Sequence, residues 1–195
     1  MSGLYAIISR DMKKFNYKDE LKKMIDGKQL VEVNFRGDTE HAVAYIMDVN
    51  DDYLTFARIS NDATLQGVII CLTRDLESIQ VETNFINELS KYVADDSIHG
   101  EALEILEKVR EFSFEGIISA FEGTETLIEV TTVDNDNFSG KVIALDDTAL
   151  VLDEYYPQDH GRFARTYLNP SLFLRVTVGG TWLKIISRSI ADKNL

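Results

Sequence analysis

The chain writes one strand pattern twice, and any fold it adopts must accommodate both copies. Leu30-Val31-Glu32-Val33 leads through a polar loop into Ala44 to Phe56, and Leu127-Ile128-Glu129-Val130 leads through another into Gly140 to Leu152. The spacing is 127 − 30 = 97 residues at the first strand and 152 − 56 = 96 at the last, so one register holds across the unit to within a residue. Repetition of this kind sets the architecture before local detail does, because each copy must bury the same faces. Within each copy apolar and polar residues alternate with the period of two that marks a strand. Acidic turns, Asn50-Asp51-Asp52 and Asp146-Asp147-Thr148, close the second strand of each.

Taken in order, the first unit opens on a helix from Tyr17 to Asp26 with Asn16 as its N-cap and Gly27 as its stop. Leu21, Met24 and Ile25 form its apolar face. Strands are predicted over Gln29–Phe35, His41–Val49, Tyr53–Ile59, Leu65–Leu72 and Ile79–Val81, five in a short span with tight turns between them. From Thr83 the period becomes helical. Phe85, Ile86, Leu89, Tyr92 and Val93 stripe one helix, and Ile98, Ala102, Ile105, Val109 and Phe112 stripe a second. A helix over Phe114–Phe121 restarts the unit, with strands over Thr126–Val133, Gly140–Leu145, Ala149–Tyr155 and Phe163–Leu168. Leu172–Val178 and Thr181–Ile186 flank Gly179-Gly180 as a last hairpin. The expected domains are residues 1–82, a helical connector over 83–112, and residues 113–195.

Composition narrows function by exclusion. A formal net charge of −13 opposes any broad attraction to phosphate backbones or anionic membranes. The one cysteine, Cys71, sits in an apolar run and reads as a buried thiol, with no disulfide framework. No signal peptide and no membrane-spanning stretch is read, so a cytosolic location is expected. The turn acids Asp48, Asp51, Asp52, Asp134, Asp136, Asp146, Asp147, Asp153 and Glu154 read as solvated rather than as a calcium loop, and His41, His99 and His160 are too scattered for zinc. Asp159-His160-Gly161-Arg162 is the one loop where an acid, a histidine and an arginine adjoin, but no nucleophile motif or phosphate-cradling glycine loop accompanies it. No enzyme, metal or cofactor is expected. The lysines Lys13, Lys14, Lys18, Lys22, Lys23 and Lys28, interleaved with Phe15 and Tyr17, form the one basic stretch and are candidates for RNA contact.

A helix followed by five short bent strands, with Gly140 to Asp146, Leu150 and Leu152 in one unit, Ala44 to Asn50, Leu54 and Phe56 in the other, and Thr73 to Ile79 as a short terminal strand, resembles the Sm-like fold of the Sm, LSm and Hfq proteins. The resemblance implies a mainly β, α+β chain of two tandem, strongly bent five-stranded antiparallel barrels joined by the helical connector. It also implies assembly by pairing of edge strands. The family's RNA-holding loops are not matched: the loop after the second strand is acidic in both units, the loop before the last strand has Arg74 but no lysine-histidine pair in the first, and the second has Asn169-Pro170. The expected function is therefore assembly or adaptor binding, through self-association or a protein partner, with RNA contact through Lys13 to Lys28 and Arg74 and none with DNA or membrane. The alternative is a barrel of the PRC type that senses a small ligand or a protein.

Overall fold

The computed structural model describes residues 17–36, 41–93, 95–156 and 161–191. Helix α1 spans Tyr17–Asp26, with Asp19 and Glu20 in its first turn and Lys23 in its last, as the helix dipole favours. Leu21 is completely buried, which contributes about 1.5–3 kcal/mol of transfer free energy, and Met24 and Ile25 pack beside it. The residue that turns the chain out of the helix is Lys28, at φ 46°, rather than Gly27.

The strands of the first half are β1 (Leu30–Phe35), β2 (Ala42–Val49), β3 (Tyr53–Ile59), β4 (Leu65–Leu72) and β5 (Leu76–Gln80), with a 3-10 turn over Thr73–Asp75 before the last. Those of the second half are β6 (Leu127–Thr132), β7 (Asn137–Leu145), β8 (Leu150–Tyr156), β9 (Gly161–Leu168) and β10 (Phe173–Val178), with a 3-10 turn over Pro170–Leu172 before the last. The two halves are irregular in the same places. Pairing of β2 with β3 slips between Ile46 and Asp48, and that of β7 with β8 between Val142 and Ala144. The slip between Arg58 and Ile59 opposite β4 has its match between Glu154 and Tyr155 opposite β9. The slip between Asn34 and Phe35 opposite β5 matches the one between Phe173 and Arg175 opposite β6. Such bulges bend the strand and sharpen its twist.

The expectation of two closed barrels joined by a helical connector is corrected here. All ten strands of the described residues form one antiparallel sheet in the order β5-β1-β2-β3-β4-β10-β6-β7-β8-β9. Closing a five-stranded unit requires its first and last strands in sheet order to pair with each other. Instead β4 gives its outer edge to β10 of the other half, so neither unit closes on itself. The helices do not stand between two bodies. Helix α2 (Asn84–Leu89), capped by the Thr83 hydroxyl accepting from the Ile86 N–H at 3.1 Å, and α3 (Asp95–Leu106) lie on the sheet. Their Ile86, Leu89, Ile98, Ala102 and Leu106 share a core with Val43, Tyr45, Ala57 and Val68. Tyr92, read as part of the first stripe, is 75% exposed. Helix α4 (Phe114–Ser119), capped by Ser113, sends Ile117 and Ile118 into the core of the second half.

A second correction concerns the C-terminal hairpin. Gly179 and Gly180 both have positive φ, but they lead from β10 into helix α5 (Gly180–Ala191) rather than into a returning strand. Leu183, Ile186 and Ile190 recur at helical spacing, and the first two bury against Leu127. Gly180 also meets β4 too closely for any side chain, since a Cβ there would lie 2.0 Å from the Gln66 carbonyl oxygen.

Two glycines give opposite expectations. A Cβ at Gly140 would lie 2.6 Å from the Asp153 carbonyl oxygen of the neighbouring strand, so Gly140→Ala is expected to lower stability by about 1–3 kcal/mol through forced backbone movement. Gly100 in α3 has open space on the same test, so Gly100→Ala is expected to raise stability by about 0.5–1 kcal/mol. Urea denaturation of both variants at neutral pH measures the difference.

Candidate functional site

The two halves meet at a strand seam. Val68, Ile69, Ile70 and Cys71 of β4 stand opposite Val178, Thr177, Val176 and Arg175 of β10. Ile70 belongs to the core of the second half although it lies on a strand of the first. Arg175 reaches the other way, its guanidinium 5.2 Å from the centre of the Phe35 ring, which is itself stacked on Phe56. On the α4 side, Phe114 stands edge-on to both Tyr53 and Phe173, joining β3 to β10. The Asn50 side chain donates to the Phe112 carbonyl at 2.8 Å and ties an acidic turn to the same junction.

The outer edges of the sheet, β5 and β9, occupy the positions in their halves that β10 and β4 occupy in theirs. Leu54 faces Cys71 across β3 and β4, and Leu150 faces Leu168 across β8 and β9, so Leu168, Tyr167 and Thr166 stand where Cys71, Ile70 and Ile69 do. Asn34 faces Ser78 and Thr131 faces Arg175, so Ser78, Ile79 and Gln80 stand where Arg175, Val176 and Thr177 do. The difference is solvent. Ile70 is fully buried, whereas Tyr167 is 68% exposed and Phe163, on the same edge, 58%. Phe163 lies edge-on to Tyr156 with ring centres 5.0 Å apart. Free strand edges are templates for pairing with another chain.

The residues singled out from sequence fall on several elements. Lys13, Lys14, Phe15, Asp159 and His160 lie outside the described residues, while Gly161 and Arg162 open β9. Tyr17 packs on the core of the first half, and burial raises its pKa. Lys18 is ion-paired with Asp51 of the turn between β2 and β3, and Lys23 bonds Glu20 at 2.6 Å one turn back. Lys22 faces Asp48, whose carboxyl burial pushes up while the Val49 N–H and the lysine charge oppose that shift. Lys28 is at the turn after α1, and Arg74 is on the 3-10 turn between β4 and β5. The acidic turns have a structural use. Asp146 accepts from the Thr148 N–H at 2.7 Å, the Thr148 hydroxyl at 2.6 Å and the Ala149 N–H at 2.9 Å, and these bonds hold its carboxyl below the usual range. Asp62 is held low in the same way by Ser60 and Thr64. Sequence reasoning missed Phe163 and Tyr167 as edge residues. Their alternation marked a strand, but nothing local says which side of a strand goes unpaired.

Among the described residues, no helix is long and apolar enough to cross a membrane. No family model matches the chain, and no curated protein matches it. Among solved structures, the crystal structure of YcgR in complex with c-di-GMP from Escherichia coli aligns over 91% of this chain and 88% of that chain, at 8% identity and a TM-score of 0.18. A likeness at that score carries no argument about fold or ligand.

Edge strand β9 is held to β8 by charge as well as by its ladder. Arg165 donates to both carboxylate oxygens of Asp153, at 2.8 and 3.1 Å, with Arg162 at 3.4 Å, and Arg165 is the main cause of a lowered Asp153 pKa. Because the folded value lies below the unfolded one of about 3.9, this contribution is present above that pH and lost as pH falls through the folded value. Asp153→Asn is expected to lower the urea midpoint slightly at pH 7, the arginines being exposed and screened, and to match the parent once pH is below the folded pKa. A midpoint series across acidic pH measures the convergence.

Proposed function

We propose that the chain is a cytosolic, non-enzymatic assembly module of the Sm-like kind, in which the strand pairing that joins its own halves is repeated between copies. The observation that carries this reading is the seam itself. The chain already pairs β4 with β10, and its two outer edges, unpaired among the described residues, are the counterparts of that same pair. Repeating the seam sets Leu168, Tyr167 and Thr166 of one copy opposite Ser78, Ile79 and Gln80 of the next. Main-chain hydrogen bonds supply the attraction, and the exposed Tyr167 and Phe163 rings lose contact with water. The two surfaces differ, so the contact is heterologous and yields a ring when the rotation closes or a filament when it does not.

RNA contact through α1 and the segment before it is a subordinate part of the proposal. Lys18 and Lys23 are already paired with acids, so an RNA would have to displace Asp51 and Glu20. The ratio of absorbance at nucleic-acid and protein wavelengths in freshly purified material reads this part separately.

The assembly is tested by light scattering on a sizing column and by a crosslink. In a chain carrying Ile79→Cys with Tyr167→Cys, directly opposed residues on neighbouring antiparallel strands are close enough for a disulfide between copies. A ladder of crosslinked species on a non-reducing gel is the expected result. A chain carrying Leu76→Cys with Tyr167→Cys, out of that register, is expected to give none. A strict monomer at every concentration sinks the proposal.

A further inference from the structure

A cavity of about 370 Å³ opens where α5 crosses the seam, a volume within the range of small-molecule sites. Its floor follows from the register. Ile69 of β4 stands opposite Thr177 of β10, and Thr177 opposite Glu129 of β6, so the three form one row across the sheet. Arg58 of β3 lies beyond Ile69 on the far side of the same cavity, two residues along from Phe56, which faces Ile69. From β3 to β6 is three strand spacings, about 14 Å between backbones. An arginine and a glutamate reaching inward from those positions leave a gap rather than a contact. Among the described residues the Arg58 side chain makes no ion pair or hydrogen bond, although its charge is felt at Glu129.

The chemistry of the walls is mixed in a particular way. One carboxylate oxygen of Glu129 accepts from the Ser139 hydroxyl at 3.1 Å, and the other is uncommitted among the described residues. Burial raises the Glu129 pKa, with the Ser139 bond and Arg58 opposing, as for a carboxylate partly withdrawn from water. Along the opposite side α5 presents Trp182 and Ile185, 50% and 46% exposed, as an apolar wall. The cavity thus offers a guanidinium unpaired among the described residues at one end, a carboxylate acceptor at the other, and an indole and an aliphatic side chain on the α5 side.

The geometry points to a binding site for a free α-amino acid with a large apolar side chain. Its carboxylate meets the Arg58 fork, its ammonium meets the uncommitted Glu129 oxygen, and its side chain packs on Trp182 and Ile185. A zwitterion matches one acid and one base at a distance and brings no net charge to a chain that carries −13. A nucleotide would set its phosphate charges beside Glu129 and against that net charge. A metal ion would find a single carboxylate. The site does not depend on assembly, since every residue in it comes from one chain.

Trp182 is the only tryptophan in the sequence, so its emission reports on the site directly. Titration of the intact chain with L-leucine, L-isoleucine and L-methionine, followed by Trp182 fluorescence and by calorimetry, is expected to show saturable binding of at least one. N-acetyl-L-leucine, which lacks the ammonium, and L-leucinamide, which lacks the carboxylate, are each expected to bind about tenfold or more weaker, as loss of one charge-assisted contact implies. Arg58→Ala and the isosteric Glu129→Gln are expected to weaken the amino acid by a similar factor, with circular dichroism and urea midpoints establishing that both variants fold. Absence of saturable binding in both measurements overturns the inference. So does equal binding of the amide, or undiminished binding in either folded variant.

Discussion

The pairing of β4 with β10 is the constraint on which the rest of the molecule depends. Without it, the first half would present Val68, Ile69 and Ile70 to water on an open edge, and the second half Val176 and Val178. With it, Ile70 completes the core of the half it does not belong to, and Arg175 returns the exchange by covering Phe35. Backbone hydrogen bonds and side-chain burial are satisfied by the same four residue pairs. The close approach of Gly180 to Gln66 follows from this, because the chain leaving β10 has to pass directly over the start of β4 before α5 can form. The groove beneath α5 is the space left where a helix bridges two halves of a sheet rather than lying along one.

Much of the strand pattern was legible because its causes are local. Tyr53–Ile59 and Leu65–Leu72 appear with the bounds that alternation and flanking turns gave them, and α1 ends where its acids, lysines and apolar face require. The errors arose where the decision was not local. Whether five bent strands close on themselves depends on which edge wins β4, and β10 lies about a hundred residues away along the chain, in a segment no periodicity connects to it. The glycine pair at 179 and 180 fits a two-residue hairpin as well as it fits a helix entry, and the helical spacing of Leu183, Ile186 and Ile190 decides between them once Leu127 is available to receive it.

The candidate sites were less legible than the fold. Lysines stood out on α1 as a basic stretch, yet the acids that engage Lys18 and Lys23 come from a turn between strands and from the preceding helical turn. Arg58 and Glu129 carry no motif and sit in opposite halves of the sequence. They face one cavity because the registers of four successive strands bring them there, and a shift of one residue in any of those registers would turn one of them to the other face. Chemistry that depends on sheet register in this way leaves no trace in residue spacing.

The link between the halves also sets a rule of parity. Residues of α2, α3 and α4 tie the inner seam covalently, while the outer edges differ from it in sequence, with Tyr167 and Ile79 where the inner seam has Ile70 and Val176. Any closed assembly built by repeating that pairing contains an even number of five-stranded units, with two chemically distinct seams alternating around it. Its rotational symmetry is then half its count of units, and a substitution in one seam leaves every second joint intact.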